Sequence, residues 1–365
     1  MMTRLIRTFT AVICTIIIVA CICTDTKPRY YRHVEIDGRY SIEGRYPLSE
    51  ELAKKNNCYR FSFNEKGQIS RIEYLRNGKP ALDNKLGVAS IVFQYEKDYE
   101  QRVYLNQAGR PAADKSGVYS IRLRLNENKH PVALMNYGRT GELGADRQGV
   151  VQYIWTIDAK GRRVVSIQAD REGKRIRDAK GIYEARFKYD EKGNYIERAN
   201  YGENGQLLED MHGVAIIRLQ YDAQGNKTEA RYYGIAGELK ESAENNAASM
   251  RLKYDVNGYL TEVTFDDRNG HLKEGKYPDA AIMRISYNER GNTSEVNYYG
   301  VNGQLKDISD LGVSTIRWSF DARENMTEVR YFGADGRHKE VKDMGVASVS
   351  WQYDERDNML EARYY

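Results

Sequence analysis

One motif recurs along this 365-residue chain at a nearly fixed period. Starting from Tyr221 as a reference, ten equivalent residues are separated by 32, 30, 32, 32, 32, 33, 33, 33 and 33 residues. Self-similarity of this kind is the signature of a repeat array, in which each unit packs only on its neighbours. We therefore expect one elongated repeat domain. The ten reference positions are Phe63, Tyr95, Leu125, Ile157, Tyr189, Tyr221, Tyr254, Tyr287, Phe320 and Tyr353.

Each unit has the pattern of a β-hairpin. The residue two places before each reference position is always apolar, and the residue between them is always polar. This alternation has the period of a strand with one buried face. A turn of the form Asp-x-x-Gly-Asn follows, as in residues 222–226. The sequence thus predicts an all-β fold, an elongated solenoid or twisted sheet of about ten tandem antiparallel β-hairpins.

The turn predicts how the two strands of each hairpin pair. A four-residue loop with a left-handed glycine at Gly225 places Tyr221 opposite Asn226. A register slipped by one residue would mix the core and solvent faces, so it is rejected. Four turns lack the glycine and are expected to be looser; the residues there are Tyr99, Lys129, Glu324 and Asp357.

The same register sets an arginine opposite a glutamate in five hairpins. Opposite charges across two strands stabilise a sheet only modestly, so these pairs would specify the register more than they stabilise the fold. The glutamates also resemble an acidic metal ladder, but a guanidinium opposite each carboxylate accounts for them more simply. The predicted pairs are Arg186 with Glu197, Arg218 with Glu229, Arg251 with Glu262, Arg284 with Glu295, and Arg317 with Glu328.

The second strand of several hairpins ends in two aromatic residues, such as Tyr232 and Tyr233. Neighbouring residues of a strand point to opposite faces, so the first joins the core and the second joins the Arg–Glu face. Tyrosine and arginine dominate the energetics of many interfaces. This face is a candidate binding face, unless connectors or the curl of the sheet cover it. Its aromatic members are Tyr201, Tyr233, Tyr299, Phe332 and Tyr365.

The two ends of the chain differ from the repeats. Arg4 and Arg7 precede an apolar run that has the length of a secretory signal, and residues 18–21, Ile-Val-Ala-Cys, resemble a bacterial lipoprotein box. These features predict a signal peptide over residues 1–20, lipidation of Cys21 and a tether over residues 21–32. An uncleaved signal anchor and simple cleavage near Cys23 are the alternatives. Residues 33–54 are expected to form an irregular cap on a repeat domain over residues 55–365, with no domain after it.

Short segments of the chain resemble known hairpin repeats. Residues 189–194 and 221–226 read Tyr-Asp-x-x-Gly-Asn and resemble the turn of Rhs/YD repeats. Residues 232–239 and 298–305 read Tyr-Tyr-Gly-x-x-Gly-x-Leu and resemble MORN-type repeats. The resemblance covers residues 55–365 and implies a hairpin-repeat β architecture. Rhs/YD repeats have shorter units that form shells around a toxin, and this encapsulating role is not implied here.

Sequence patterns typical of catalysis are missing. The five histidines occupy unrelated positions that we expect at the surface, and neither a phosphate-binding loop nor a Gly-x-Ser-x-Gly elbow occurs. Only Cys58 of the four cysteines lies in the repeat domain, which excludes a disulfide framework there. A net charge of +4 from 56 basic and 52 acidic residues does not indicate nucleic-acid binding. We expect no enzyme activity, cofactor or metal.

These observations favour a non-enzymatic, exported, lipid-anchored protein of the bacterial cell envelope, either periplasmic or surface-exposed. A repeat array offers area and periodic contacts, so we expect a binding or structural surface for a protein or a glycan. The membrane would be reached through the N-terminal lipid or signal anchor. The alternative, based on the MORN-type resemblance, is a periplasmic antitoxin-like or structural module that neutralises a protein partner.

Lipidation of Cys21 predicts that cells producing the protein incorporate radiolabelled palmitate into it. The Cys21→Ser variant should lose this label, because the thiol that carries the lipid is gone. Cys23→Ser changes the neighbouring cysteine and should keep the label. Labelling that persists in Cys21→Ser would show that the lipoprotein assignment is wrong.

Overall fold

The computed structural model describes residues 26–37, 39–85 and 87–365. The predicted signal peptide and Cys21 lie outside these residues. Within them, 23 strands form one antiparallel sheet, and the single helix is the four-residue α1, Glu50–Ala53. No helix of this described part has the length and apolar character needed to cross a bilayer. The predicted all-β fold is confirmed.

The strands follow the chain in simple order. They are β1 Arg29–Asp37, β2 Ser41–Leu48, β3 Cys58–Phe63, β4 Ile69–Arg76, β5 Lys79–Pro80, β6 Ser90–Tyr95, β7 Tyr99–Leu105, β8 Ser120–Leu125, β9 Pro131–Tyr137, β10 Gln152–Ile157, β11 Arg163–Ala169, β12 Glu184–Tyr189, β13 Tyr195–Tyr201, β14 Ile216–Tyr221, β15 Lys227–Tyr233, β16 Ser249–Tyr254, β17 Leu260–Asp266, β18 Ile282–Tyr287, β19 Thr293–Tyr299, β20 Thr315–Phe320, β21 Met326–Phe332, β22 Ser348–Tyr353 and β23 Met359–Tyr364.

The sheet is a continuous meander of hairpins. We number the hairpins 1 to 10, with β3–β4 as hairpin 1, β6–β7 as hairpin 2 and each later strand pair in turn, to β22–β23 as hairpin 10. The second strand of each hairpin pairs with the first strand of the next. All ten predicted reference positions are the last residue of a hairpin's first strand. The period of the sequence therefore marks the hairpins correctly.

The register within the hairpins differs from the prediction by two residues. Arg218 lies opposite Arg231, and Gln220 lies opposite Glu229, so the predicted pair of Arg218 with Glu229 does not face across hairpin 6. The same offset recurs in hairpins 5, 7, 8 and 9. An offset of two residues returns every side chain to the same face, so the predicted core and solvent faces are retained.

Two features of each turn cause this offset. In hairpin 6, the Asp222 amide donates to the Asn226 carbonyl at 2.9 Å, which leaves a three-residue loop with Gly225 at φ 84°. A β-bulge follows, where the register shifts between Gln220 and Tyr221. The shorter loop and the bulge each displace the pairing by one residue. Alternation of polar and apolar residues does not reveal either feature.

The four turns without glycine are not looser, contrary to the prediction. Lys129, Glu324 and Asp357 adopt the left-handed conformation that glycine has elsewhere, at φ 64°, 67° and 64°. The Asp321 carboxylate shows how such a turn is held, because it accepts from two backbone amides of its own loop at 2.8 and 2.9 Å. In hairpin 2 the loop is shorter still, because the Glu96 amide donates to the Tyr99 carbonyl at 2.9 Å and closes a two-residue loop.

Tyrosine at the reference position links neighbouring hairpins. The Tyr221 hydroxyl donates to the Tyr195 carbonyl at 2.9 Å, and the Tyr189 hydroxyl donates to the Arg163 carbonyl at 2.8 Å. In each case the acceptor is the first residue of the preceding hairpin's second strand. Phenylalanine cannot make this bond, which helps to explain the 29 tyrosines beside 8 phenylalanines. The same bond occurs at Tyr95, Tyr287 and Tyr353.

The sheet curls into a spiral that brings its late turns onto its first hairpin. The Asn57 side chain donates to Asn292 at 2.7 Å, which joins the start of hairpin 1 to the turn of hairpin 8. Asn77, just after hairpin 1, donates to the Arg323 carbonyl in the turn of hairpin 9 at 3.2 Å. One turn of the spiral therefore takes about seven hairpins, which is within the range over which twisted open sheets curl.

Residues 29–48 form a regular hairpin, which corrects two expectations. Strand β1 starts at Arg29, so the extended tether predicted over residues 21–32 ends before this point. The irregular cap expected over residues 33–54 consists of most of the β1–β2 hairpin and helix α1. Strand β1 also pairs with β3, as a cap of hairpin 1 should. We call β1–β2 the inner hairpin, because it lies inside the spiral.

The inner hairpin contacts the wall on all sides. Its apolar residues Val34, Ile36 and Ile42 belong to the largest core cluster, which is otherwise built from hairpins 1 to 4. On the opposite side, His33 packs edge-on against Tyr259 at 4.8 Å between ring centres. The Asn226 amide in the turn of hairpin 6 donates to the Tyr46 hydroxyl at 2.5 Å. The inner hairpin therefore fills the axis of the spiral.

Charged groups hold the tip of the inner hairpin. Arg39 donates to the buried Asp146 carboxylate at 2.9 Å, and Arg163 donates to Asp37 at 2.9 Å. Arg102, which is 5% exposed, donates to the Arg39 and Tyr40 carbonyls at 2.7 and 2.6 Å. Buried charges of this kind are tolerated only when paired, so they require the tip to sit in one position.

Replacing Arg39 by methionine should destabilise the fold by about 3 to 5 kcal/mol, because it leaves the Asp146 carboxylate buried without its cationic partner. Urea unfolding followed by circular dichroism measures the loss. Lys54→Met, which removes an exposed pair with Glu50, is the matched control and should cost less than about 0.5 kcal/mol. Equal effects of the two substitutions would show that the tip does not anchor the spiral.

Candidate binding face

The convex side of the sheet carries the predicted candidate face. In hairpin 6, Leu219 and Ala230 point to the core and are buried, whereas Arg218 on the opposite side is half exposed. Arg231 and Tyr233 lie on the same side as Arg218, because each pairs with a residue of that face. We call this surface the outer face. It repeats every two strands, which is roughly 10 Å.

Four of the five predicted aromatic rings of the outer face are covered by an arginine. The guanidinium carbon of Arg218 lies 4.5 Å from the ring centre of Tyr233, and that of Arg284 lies 4.8 Å from the ring centre of Tyr299. These are cation–π distances. The same arrangement pairs Arg186 with Tyr201 at 3.9 Å and Arg317 with Phe332 at 4.7 Å. Tyr365 differs, because it is 62% exposed and lies beyond the last strand.

The repeat places two further residues at the aromatic position. Tyr137 in hairpin 3 occupies it and has Arg122 at 4.9 Å from its ring centre, so it belongs to the same series. Its spacing of twice 32 residues from Tyr201 is the signal that predicts it. In hairpin 7 the position holds Asp266, which accepts from Arg251 at 2.7 and 2.8 Å. The aromatic series is therefore interrupted twice, by Ala169 in hairpin 4 and by this charged pair in hairpin 7.

Glutamates of the outer face bind arginines of the next hairpin. Arg218 donates to Glu197 at 2.9 Å, Arg284 to Glu262 at 2.9 Å, and Arg317 to Glu295 at 2.5 Å. These residues lie opposite one another in the pairing between hairpins. The predicted Arg–Glu pairing within hairpins was therefore wrong, because the two-residue offset moves each glutamate away from its predicted partner. The charge ladder links neighbouring repeats instead.

The remaining predicted pair members bind nearer partners. Glu229 and Glu328 accept from arginines two residues along their own strands, Arg231 and Arg330. Arg186 donates to Glu184 of its own strand at 2.6 Å. Arg251 lies opposite Glu229 in the pairing between hairpins 6 and 7 but donates to Asp266. Each of these charges is paired, although none with the residue that the sequence indicated.

Hydrogen bonding keeps Glu197 and Glu262 ionised. Burial opposes ionisation of Glu197, but hydrogen bonds from Lys188 and Arg218 outweigh it and lower the pKa of this carboxyl below its usual value. Glu262 has the same environment, with burial outweighed by hydrogen bonds from Lys253 and Arg284, and its pKa is also lowered. These two carboxylates are thus structural anions that link neighbouring hairpins.

The connectors contain a recurring residue that the sequence analysis missed. Asp146, Asp178 and Asp210 each accept from the backbone amides two and four residues later, at 2.9 to 3.2 Å. This is a turn that leads into the first strand of the next hairpin. The spacing of 32 residues between successive aspartates is the signal that predicts it.

The described residues contain no cluster that could form a metal site. No group of three or more His, Cys, Asp or Glu side chains in this part of the chain converges to hold a metal ion. Burial raises the pKa of the Cys58 thiol to about 11, so it is a poor nucleophile. His33 was expected at the surface, but it packs between Tyr46 and Tyr259, and burial lowers its pKa to about 4.

Comparison with known proteins identifies no family. No family model matches the sequence, and no curated protein matches it. Among solved structures, the chain is similar to TcdB2-TccC3-TEV, with 12% identity and a TM-score of 0.33 over 88% of this chain and 17% of that chain. It is also similar to the Photorhabdus luminescens Tc holotoxin pore, with 10% identity and a TM-score of 0.27 over 92% of this chain and 18% of that one.

A third similar structure is a porin-like protein from Bacteroides uniformis, with 7% identity and a TM-score of 0.21 over 84% of this chain and 94% of that chain. The chain spans about a fifth of the length of the Tc toxin chains that it matches. At TM-scores this low, these similarities contribute no argument about function. The function has to be inferred from the chain's own surfaces.

The ion pairs between neighbouring hairpins predict which second substitution restores the stability that is lost when one charge is reversed. Arg218→Glu should destabilise the protein, and adding Glu197→Arg should restore a coupling of about 0.5 to 1 kcal/mol, because these residues face each other. Adding Glu229→Arg to Arg218→Glu should restore nothing and serves as the matched control. Unfolding by urea measures all the variants. Rescue by Glu229→Arg alone would contradict the register described above.

Proposed function

We propose that this protein is an exported, lipid-anchored, non-enzymatic binding protein whose outer face docks a protein partner. The observation behind this proposal is the series of arginine-covered aromatic rings in hairpins 5, 6, 8 and 9. Arginine and tyrosine are enriched at the points that dominate binding energy. The arginine side chains are 45 to 53% exposed, so their outward edges remain available to a partner.

The geometry favours a protein over a glycan. A sugar that binds by stacking needs an open ring face, and here guanidinium groups at 3.9 to 4.8 Å occupy one face of each ring. The groups left to a partner are guanidinium edges, ring edges and carboxylates. Side-chain carboxylates and backbone carbonyls of a protein partner are suited to the guanidinium edges.

The charge pattern also favours a protein over a nucleic acid. Glutamates alternate with arginines along the outer face, and Glu197 and Glu262 each bind two cationic neighbours. A nucleic acid would meet a carboxylate in each of hairpins 5 to 10, which opposes binding of phosphate. A protein partner whose own surface alternates positive and negative charges can pair with both the arginines and the glutamates. The repeat of roughly 10 Å suits a partner with a strand or helix that crosses several hairpins.

A site-specific photo-crosslinking experiment in the producing cell tests this proposal. Gln220, Ser286 and Ser319, exposed on the outer face, are replaced one at a time by a photo-crosslinking amino acid. We expect one common protein adduct from all three positions. Ile235 and Val301, both 53% exposed on connectors, are the matched control positions and should not yield it.

The same adduct should be lost from the combined variant Arg218→Ala, Arg284→Ala and Arg317→Ala, while thermal unfolding confirms that this variant remains folded. An adduct formed equally at the connector positions, or none at the outer face, would refute the proposal. An adduct that resists protease would identify a glycan. Identification of the partner by mass spectrometry would distinguish a toxin, as the antitoxin-like alternative requires, from another envelope protein.

A further inference from the structure

One edge strand of the sheet is open to solvent. Apart from the two-residue β5, the described strands leave two at the edges, β2 and β23, because each of these pairs with one neighbour only. Strand β2 lies inside the spiral as part of the inner hairpin, whereas five of the six residues of β23 are exposed. An exposed edge strand presents backbone N–H and C=O groups to which another strand can pair.

Exposed apolar side chains gather on this part of the sheet. Met359, Leu360, Tyr364 and Tyr365 are 60 to 67% exposed. Tyr232 holds the position of Tyr364 in hairpin 6 and is only 7% exposed, because hairpin 7 follows beside it. The same residue type is therefore buried where a strand pairs alongside and exposed where none does. Apolar residues grouped in this way on a surface mark interaction sites.

The backbone of β23 is in phase to accept one more strand. Tyr365 and Ser348 exchange two backbone hydrogen bonds, at 2.9 and 3.2 Å. Because the direction of the backbone groups alternates along a strand, those of Ala362 and Tyr364 point away from β22. In hairpin 9 the equivalent amide, that of Tyr331, donates at 2.9 Å to a carbonyl just before β22. Among the described strands, none lies beyond β23 to play this part.

The side chains of β23 are complementary to a second copy of the same strand. Two copies can pair antiparallel with Ala362 of one opposite Ala362 of the other. Glu361 of each copy then lies opposite Arg363 of the other, and Leu360 lies opposite Tyr364. Opposite charges and apolar pairs both stabilise an antiparallel pair of strands. Facing residues lie on the same side of a sheet, so the charges continue the outer face and the apolar residues continue the inner wall.

Charge and backbone direction exclude the neighbouring registers. A two-fold axis at Glu361 would set two glutamates opposite each other, and an axis at Arg363 would set two arginines opposite each other. At both positions the backbone groups point toward β22, where Glu361 lies opposite Gln352. An axis between two residues would mix the outer and inner sides. Of these registers, the one centred on Ala362 alone meets every condition.

Hairpin 5 shows that a glutamate at this position can bind two cations. Glu361 already accepts from Arg363 of its own strand at 2.8 Å. Glu197 is the equivalent residue of hairpin 5, and it binds Lys188 and Arg218, which belong to the strands on either side. The Glu361 carboxylate can therefore accept from Arg363 of a second copy without releasing its own.

We propose that two copies of this protein associate through β23, about a two-fold axis that is perpendicular to the sheet beside Ala362. Their sheets become continuous across the interface, and the closed symmetry leaves neither β23 edge free. A different protein would have to match a charged outer row and an apolar inner row, which a second copy does by symmetry. The edge is separate from the arginine-covered rings of hairpins 5, 6, 8 and 9, so this proposal and the proposed function stand or fall independently.

Sedimentation velocity of the purified full chain tests the dimer. One strand from each copy buries less surface than a standard interface, so we expect a dissociation constant of about 10 μM. Glu361→Arg and Arg363→Glu each create like-charge pairs on both sides of the axis, and each should weaken association about 10- to 100-fold. Arg330→Glu is the matched control, because it reverses the equivalent arginine of hairpin 9 on a strand that is paired along both edges. This variant should associate as the wild type does.

An equimolar mixture of the two edge variants tests the register. The Glu361→Arg copy presents two arginines and the Arg363→Glu copy presents two glutamates, so the mixture should form heterodimers at least as tightly as the wild type forms dimers. Ala362→Pro removes an amide that the dimer uses and β22 does not, so this variant should stay folded and monomeric. Thermal unfolding checks that each variant is folded.

A wild-type protein that stays monomeric well above the expected dissociation constant would overturn the proposal. Association that is equally strong in the wild type and in both edge variants would place the interface elsewhere and would also overturn it. A mixture of the edge variants that does not associate would refute the pairing of Glu361 with Arg363.

Discussion

The spiral depends on what fills its axis. A sheet that curls through about seven hairpins exposes an apolar inner wall, and such a wall is stable only when something covers it. The inner hairpin does so with one apolar side, packed on hairpins 1 to 4, and one polar side that faces hairpins 4 to 8. Its tip is held by buried charge pairs, which admit few other positions. The inner hairpin is thus the centre of the fold as well as its cap.

Contacts between repeats outweigh contacts within them in specifying the array. The glutamate–arginine ladder, the tyrosine hydroxyl bonds and the backbone pairing all join one hairpin to the next. A lone hairpin is marginally stable in water, so these links are what make the repeats cooperative. Because the repeats are so regular, a residue that departs from the type usual at its position is easy to recognise. Asp266 interrupts the outer aromatic series, and Arg198 interrupts the inner apolar one.

The repeat period of the sequence and its alternation of polar and apolar residues predicted the fold well, because each hairpin must present one apolar face to a neighbour. The ten reference positions, the strand faces and the positions of the turns all follow from that requirement. The register did not follow, because a bulge adds a residue without changing which face its neighbours use. The charge pairs were consequently assigned to the wrong partners, although the right residue types were recognised. The sequence was also a poor guide to the turns at Lys129, Glu324 and Asp357. Hydrogen bonds of the loop hold these residues in a conformation that glycine usually adopts.

The sequence by itself determined the repeat unit, its two faces and the residues of the outer aromatic series, because these depend on interactions a few residues apart. Only the tertiary structure decided the curl of the sheet, the insertion of the inner hairpin and the convergence of Arg39, Arg163 and Arg198 on one cavity. Those features join residues as much as 278 positions apart. The twist between neighbouring strands, summed over many strands, decides which distant hairpins meet. No local sequence pattern indicates this sum.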